Sequence, residues 1–271
     1  MKIPLLPALI ASAALGLLAG CANNAAQVVA ATPGCLDDVA VNRLVADYNA
    51  RRPAADLPAT LTMADAACTR SRLQQRLAGQ AGRLVGYKAG LTNPAVQKRF
   101  NTDQPVWGAL YTDMLLGNGA AVDAVFGARP LYEADLLPDL VVESPPKLNG
   151  AGISAINVGA RLGVRGTPLV VPADAAGQAR LLDQLRDMNV RLVDAQGAQL
   201  GGGKGSDVLG HPLNAVVWLA GALKEQGLSM RPGQVISLGS FSALLPPKPG
   251  LQATVHYDGV TGLQPVSVRF R

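Results

Sequence analysis

Two carboxylates and a lysine in the first half of the chain have types and spacing that could support metal-assisted proton transfer. Glu133 and Asp135 stand two residues apart in the stretch YEAD. On a β-strand, side chains two apart lie on the same face, so both carboxylates can reach one hard cation. A lysine such as Lys88, in GYKAG, can move protons near neutral pH where burial beside a metal lowers its pKa. The same residues also fit two solvated acids and an exposed lysine at a strand end.

A glycine-rich loop in the second half suggests two other catalytic motifs, and its spacing excludes both. The loop reads GGGKGSDVLG from Gly201. A phosphate-binding P-loop needs Gly-Lys followed directly by Ser or Thr, but Gly205 separates Lys204 from Ser206. A hydrolase nucleophile elbow needs Gly-x-Ser-x-Gly, and Ser206 is followed by Asp, Val and Leu. The loop therefore serves another purpose.

Three segments of the chain form an ordered set of motifs. They are GYKAGLT from Gly86, DQPVWGALYTDM from Asp103 and GSDVLGHPLNAVVWLA from Gly205. Together they closely resemble the 2-keto-4-pentenoate hydratase family, within the fumarylacetoacetate hydrolase superfamily. A later stretch, RPGQVISLGS, matches the family's Pro-Gly-Asp-x-Ile strand with Gln234 replacing the acid. The resemblance extends from about Leu61 to the C-terminus.

The resemblance implies a fold and a reaction class. The implied fold is α+β, a mixed β-roll core of the fumarylacetoacetate hydrolase type with an N-terminal helical part. Members bind Mg²⁺ or Mn²⁺ through three carboxylates and act on 2-hydroxydienoates or 2-oxo acids through an enolate, whose charge a hard cation stabilises. The implied activity is a hydratase, a lyase. Decarboxylation and diketo-acid cleavage share the enolate, so the sequence does not separate them from hydration.

The resemblance also assigns roles to individual residues. Lys88 corresponds to the active-site lysine, and Asp113 to an acid that orients it, although Asp113 also suits an ordinary turn. Ser206 corresponds to a residue that contacts the substrate carboxylate, helped by backbone N–H groups of the loop around Gly205. His211, ahead of a helix, is interpreted as shaping this loop.

The metal site is where the sequence departs from the family. Glu133 and Asp135 are the expected ligands, but the shorter Asp stands where the family has Glu. The segment that carries the third carboxylate is missing or shortened, and Asp139 or Glu143 would be its substitutes outside the expected context. Two ligands alone should bind a hard cation weakly. The alternative is therefore a non-catalytic envelope protein that keeps the fold and has lost its metal site.

The N-terminus predicts export. Lys2 precedes an apolar run, and LLAGC, ending at Cys21, resembles the lipobox of bacterial lipoproteins. Residues 1–20 are predicted to be a signal peptide, Cys21 the lipidated residue and residues 21–35 a tether. Ala22 after the cysteine favours the periplasmic side of the outer membrane. An ordinary signal peptide or an uncleaved anchor is the alternative.

The remaining chain, residues 36–271, is predicted to be a single hydratase-like domain. Residues 36–80 form its helical part and residues 81–271 its β-rich core. Cys35 and Cys68 are expected to form a disulfide in an oxidising periplasm, or else to be buried free thiols. The 24 basic residues are scattered without aromatic interleaving, which argues against nucleic-acid binding. The expected partners are a small 2-oxo acid and a membrane reached only through the lipid anchor, with homo-oligomer formation left open.

Overall fold

A computed structural model describes residues 30–55, 57–135, 139–141 and 148–271, with backbone alone for 139–141. The predicted signal peptide, Cys21, most of the tether and Glu143 lie outside the described residues. Within them, no helix is long and apolar enough to cross a membrane.

The described residues contain six α-helices and twelve β-strands. The helices are α1 (Asp38–Ala50), α2 (Met63–Ala81), α3 (Pro94–Arg99), α4 (Gly150–Ala155), α5 (Ala175–Asp187) and α6 (Pro212–Glu225). The first six strands are β1 (Leu84–Gly90), β2 (Val106–Tyr111), β3 (Leu115–Gly117), β4 (Ala120–Val122), β5 (Leu131–Tyr132) and β6 (Asp139–Val141). The others are β7 (Ala160–Arg165), β8 (Asn189–Val193), β9 (Gln199–Lys204), β10 (Val235–Ser237), β11 (Gln252–Asp258) and β12 (Val266–Phe270).

The strands form three mixed sheets. Their orders are β10-β1-β2, β4-β12-β11-β8-β9 and β3-β7-β6-β5. Parallel pairs such as β1 with β10 occur beside antiparallel pairs such as β1 with β2. The predicted α+β class with a mixed core is confirmed.

The N-terminal helices begin where the sequence signals indicate. Thr62 and Asp65 form a reciprocal capping box at the start of α2, and Asn93 caps α3 ahead of Pro94 at its first position. α2 ends at Ala81, where Gly82 caps it with a positive φ of 83°. α1 packs on α2 through buried apolar side chains of both helices.

The chain that enters α1 is attached to α2 by a covalent and a polar link. Cys35 and Cys68 form a disulfide with a Cα–Cα distance of 5.7 Å. Three residues away, the Asp65 carboxylate accepts hydrogen bonds from Thr32 Oγ1 and from the backbone N–H of Gly34. The first described residues are thereby held against α2.

The Asp65 contacts predict an acid-sensitive attachment. The hydrogen bond from Thr32, followed by those from Thr62, lowers the pKa of Asp65 from 3.8 to about 2. A carboxyl whose pKa is depressed on folding stabilises the folded state above its unfolded pKa, and this stabilisation is lost as the pH falls towards the folded pKa. We expect Asp65→Asn to be less stable than the wild type at pH 6, with a difference that shrinks between pH 4 and pH 2. Urea unfolding of both proteins across this range measures it, and a difference independent of pH would contradict the assignment.

The β-rich part contains two hairpins and, before the first of them, helix α5. β8 and β9 turn through Gly197, and β11 and β12 are joined through Asp258-Gly259. β11 alternates between buried and half-exposed positions, so one face packs on the main core. α5 packs against the main core through the half-buried Leu181 and Leu185, and Gly177 is its only buried residue among those described.

The chain between α4 and β7 contacts the edge of β2 that does not pair with β1. The Asn157 side chain donates to Ala109 O at 3.0 Å and accepts from Ala109 N at 2.7 Å. These are the two backbone groups that a neighbouring strand would bind. Gln74 of α2 donates to the same Asn157 oxygen at 2.8 Å. A side-chain amide therefore covers the edge of β2 at this position.

Candidate active site

Lys88 lies at the centre of the candidate site because β1 is buried between two other strands. β1 pairs with β2 on one side and β10 on the other, and its last five residues are all buried. The Lys88 side chain is only 2% exposed, and its Nζ donates to Glu133 Oε1 at 2.8 Å. Asp135 Oδ2 lies 3.8 Å from the same nitrogen. A buried ammonium group thus stands between two carboxylates, which supply the charge that burial requires.

The two carboxylates point to Lys88 because the chain after β5 stays extended. Tyr132 pairs with Leu245, and Ala134 O accepts from Phe241 N at 2.8 Å. Ala134 faces the core, so its neighbours Glu133 and Asp135 face the opposite side together. The structure therefore brings Lys88, Glu133 and Asp135 together, with the two carboxylates on one side as their spacing predicted.

Asp135 is held by a cradle that the sequence analysis missed. Its Oδ2 accepts from Ser237 Oγ at 2.6 Å and from Gly239 N at 3.0 Å, and its Oδ1 accepts from Leu238 N at 3.1 Å. Ser237 is the register partner of Lys88 across the parallel β1–β10 pair. The signal lay in the SLGS sequence at the end of the Pro-Gly strand, but only strand pairing shows that it faces Asp135.

Glu133 and Asp135 fit a divalent cation in chemistry and position. Both are buried carboxylates on one side of the chain, and carboxylate oxygens are the ligands that hard divalent cations prefer. No cluster of three His, Cys, Asp or Glu side chains occurs within the described residues. The described part of the chain therefore supplies two of the three carboxylates expected, and Lys88 contributes the positive charge beside them.

Asp113 does not orient Lys88, and this prediction was wrong. Asp113 is exposed in the turn after β2, where its carboxylate accepts from Thr112 Oγ1 at 3.1 Å. This turn lies against Gly82, six residues before Lys88. An extended chain rises about 3.3 Å per residue, which separates the two by roughly 20 Å. Glu133 takes the position beside Lys88 that was assigned to Asp113.

Gly205 is a packing residue, so its predicted role in substrate binding was also wrong. Its N–H donates to Met188 O at 2.9 Å and is not available to a ligand. A Cβ at this position would lie 1.9 Å from Leu185 O at the end of α5, so only glycine fits. Ser206 is exposed in the same turn, and its substrate role stays a prediction.

His211 shapes the loop that carries Ser206. Its Nδ1 accepts from Leu213 N at 3.0 Å as the N-cap of α6, and its Nε2 lies 3.0 Å from Leu182 O on α5. The ring thus joins the start of α6 to the middle of α5 beside the loop, which agrees with the interpretation from sequence.

Comparison with known proteins identifies the family. A 2-keto-4-pentenoate hydratase from Burkholderia vietnamiensis is 31% identical over 200 residues, covering 66% of this chain and 76% of the relative. The chain belongs to the 2-keto-4-pentenoate hydratase family. A second hydratase of this family, from Paraburkholderia xenovorans, is 30% identical over 230 residues, which cover 77% of this chain and 85% of the relative. No protein-family model matches the chain.

Other relatives place decarboxylases beside the hydratases. A 4-oxalocrotonate decarboxylase from Pseudomonas sp. strain CF600 is 27% identical over 239 residues, covering 78% of this chain and 86% of the relative. The structure of a 4-oxalocrotonate decarboxylase from Pseudomonas putida G7, complexed with magnesium and adipate, superposes with a TM-score of 0.74 at 23% identity. The superposed region covers 86% of this chain and 96% of the decarboxylase chain. The superposition confirms the fold predicted from the motifs.

Proposed function

We propose that the chain is a metal-dependent hydratase that adds water to a small 2-hydroxydienoate. The observation that carries this proposal is the buried cluster of Lys88 between Glu133 and Asp135, in a chain of the hydratase family. Two hydratases are 31% and 30% identical to the chain, and the magnesium of the solved decarboxylase supports a hard divalent cation at the carboxylates. Mg²⁺ or Mn²⁺ suits the two oxygen ligands.

The residues of the cluster divide the chemistry between them. A bound divalent cation supplies the positive charge that stabilises an enolate. Glu133 and Asp135 hold the cation, and Ser237 with the amides of residues 238 and 239 fixes Asp135 in place. Lys88 Nζ carries the proton that leaves the 2-hydroxyl and is added to the terminal carbon, which gives a conjugated 2-oxo acid. Water then adds at C4 and a proton at C3, so the net reaction consumes one water.

Glu133 and the exposed Ser206 have supporting roles in this scheme. Glu133 Oε1 accepts from Lys88 Nζ, so it keeps the amine directed into the cluster while the proton moves. Ser206 binds the substrate carboxylate. Its turn is joined to the end of β1 because Leu209 N donates to Thr92 O at 3.1 Å.

Turnover of 2-hydroxypenta-2,4-dienoate by the purified wild type tests the proposal. We expect the absorbance of the conjugated diene to disappear with Mg²⁺ or Mn²⁺ present, and EDTA to stop the reaction. Readdition of each metal separately then decides between the two cations. A folded protein that turns over no dienoate with either metal would overturn the proposal. Carbon dioxide release from 2-oxohex-3-enedioate tests decarboxylation, the activity named for other relatives.

A non-catalytic binding protein is the second candidate, and one observation favours it. The carboxylates predicted to bind the metal already accept hydrogen bonds from the protein. Glu133 accepts one from Lys88, and Asp135 accepts from Ser237 and from the backbone amides of residues 238 and 239. Calorimetric titration with Mg²⁺ and Mn²⁺ separates the candidates. Binding of either ion supports the hydratase, and its absence supports the binding protein.

We also propose that the protein is anchored by a lipid on Cys21 at the periplasmic side of the outer membrane. The LLAGC sequence supports lipidation, and the Cys35–Cys68 disulfide is typical of an oxidising compartment. Mass spectrometry of the mature N-terminus tests this, and an unmodified Cys21 would contradict it. Assembly into a homo-oligomer is left to sedimentation measurements.

A further inference from the structure

Thr92 is a buried residue whose hydroxyl has no partner in the described part of the chain. It follows β1 by two residues and is 2% exposed. Among the buried side-chain oxygen and nitrogen atoms of the described residues, Thr92 Oγ1 is the one that has no hydrogen-bond partner. Buried polar groups are nearly always paired, because an unpaired one costs folding free energy. A valine of the same shape would avoid this cost, so the hydroxyl calls for a functional reason.

The Thr92 hydroxyl lies next to the residues that hold Asp135. A Cβ added to Gly239 would stand 2.0 Å from Thr92 Oγ1, so the hydroxyl rests against the Gly239 Cα. The same glycine donates its N–H to Asp135 Oδ2. The main chain of Thr92 accepts from Leu209 N, in the loop that carries Ser206. Thr92 thus connects the carboxylate end of the site with the loop predicted to bind substrate.

Two leucines next to Thr92 have an unfavourable backbone conformation: Leu91, which precedes it in the chain, and Leu209, whose N–H donates to Thr92 O. Leu91, directly before it, has φ of 54°, and Leu209 has φ of 50°. Leucine rarely adopts this left-handed region, because its Cβ crowds the backbone. Such residues concentrate at ligand sites, where the surrounding structure maintains them. The strained backbone at Leu91 thus directly precedes the residue that carries the unpaired hydroxyl.

We propose that Thr92 is a ligand-binding residue of the Lys88 site, whose hydroxyl forms a hydrogen bond with a carboxylate or 2-oxo oxygen of the bound acid. The assignment rests on the proposed function and adds a contact to it. A hydroxyl beside the Asp135 cradle is a donor, which suits the anionic oxygens of a 2-oxo acid. The hydrogen bond that this hydroxyl lacks within the described protein is then made to the ligand.

Binding of 2-oxopentanoate to the Mg²⁺-loaded wild type and two variants tests the assignment. Thr92→Val keeps the shape and removes the hydroxyl, and we expect calorimetry to show a Kd raised about 10- to 100-fold. Thr92→Ser restores the hydroxyl and should stay within about threefold of the wild type. The ligand-free Thr92→Val protein should be as stable as the wild type or more stable, because no described hydrogen bond is lost.

Thr69→Val is the matched control. Thr69 is fully buried on α2, but its Oγ1 accepts from Leu36 N at 3.1 Å. The same substitution there should lower the urea midpoint and leave the affinity for 2-oxopentanoate unchanged. The assignment would be overturned, and the proposed function left standing, if Thr92→Val bound 2-oxopentanoate as tightly as the wild type. A Thr92→Val protein as destabilised as Thr69→Val would overturn it too. A wild type that neither binds 2-oxopentanoate nor turns over dienoate would overturn the proposed function and the assignment together.

Discussion

Replacing Lys88 with methionine should abolish most of the hydratase activity and destabilise the protein. Methionine keeps an unbranched chain but removes the amine that moves the proton, and general acid–base groups contribute about 10²- to 10⁴-fold to rate. We expect kcat/KM to fall by that factor. The free energy of unfolding should fall by about 3–5 kcal/mol, because Glu133 and Asp135 would be buried without the ammonium between them. Steady-state kinetics and urea unfolding measure the two effects.

A second variant separates the chemistry of Lys88 from its contribution to stability. In Lys88→Met/Glu133→Gln, one buried negative charge is removed together with the positive one, so part of the lost stability should return. Activity should stay absent, because the amine is still missing. A Lys88→Met protein with full activity would show that another group moves the proton, whereas a double variant no more stable than Lys88→Met would show that the unpaired carboxylates do not cause the lost stability.

Removing the Cys35–Cys68 disulfide should also have a large effect, on stability alone. The bridge joins residues 33 apart, and closing a loop of this length in the unfolded chain is worth about 3–4 kcal/mol in the chain-entropy description. We expect Cys35→Ala/Cys68→Ala to lose this amount in urea unfolding. Its metal-dependent turnover per folded molecule should match the wild type, because the bridge lies at the start of α1 and α2 and not in the Lys88 cluster.

Reduction of the wild type provides the control for the disulfide. Dithiothreitol should bring the stability of the wild type close to that of the double alanine variant and leave the variant unchanged. Two reactive thiols in the native, unreduced protein, or equal stability of wild type and variant without reductant, would contradict the bridge.

The sequence alone determined the parts of this protein that depend on local order. Capping residues and proline positions fixed the starts of α2 and α3, because these signals act within one turn of a helix. The two-residue spacing of Glu133 and Asp135 placed both on one side of an extended chain. The ordered motifs indicated the family, which the relatives confirm.

Only the tertiary structure decided what surrounds each of these side chains. Asp113 belongs to a family motif, yet strand pairing carries it to the opposite end of β1 from Lys88. Ser237, 102 residues after Asp135, reaches that carboxylate because β10 pairs in parallel with β1. The unpaired hydroxyl of Thr92 is likewise invisible in a sequence, since a missing partner is a property of the packed surroundings. Short-range signals fix the elements, and the contacts between distant strands decide which side chains form the site.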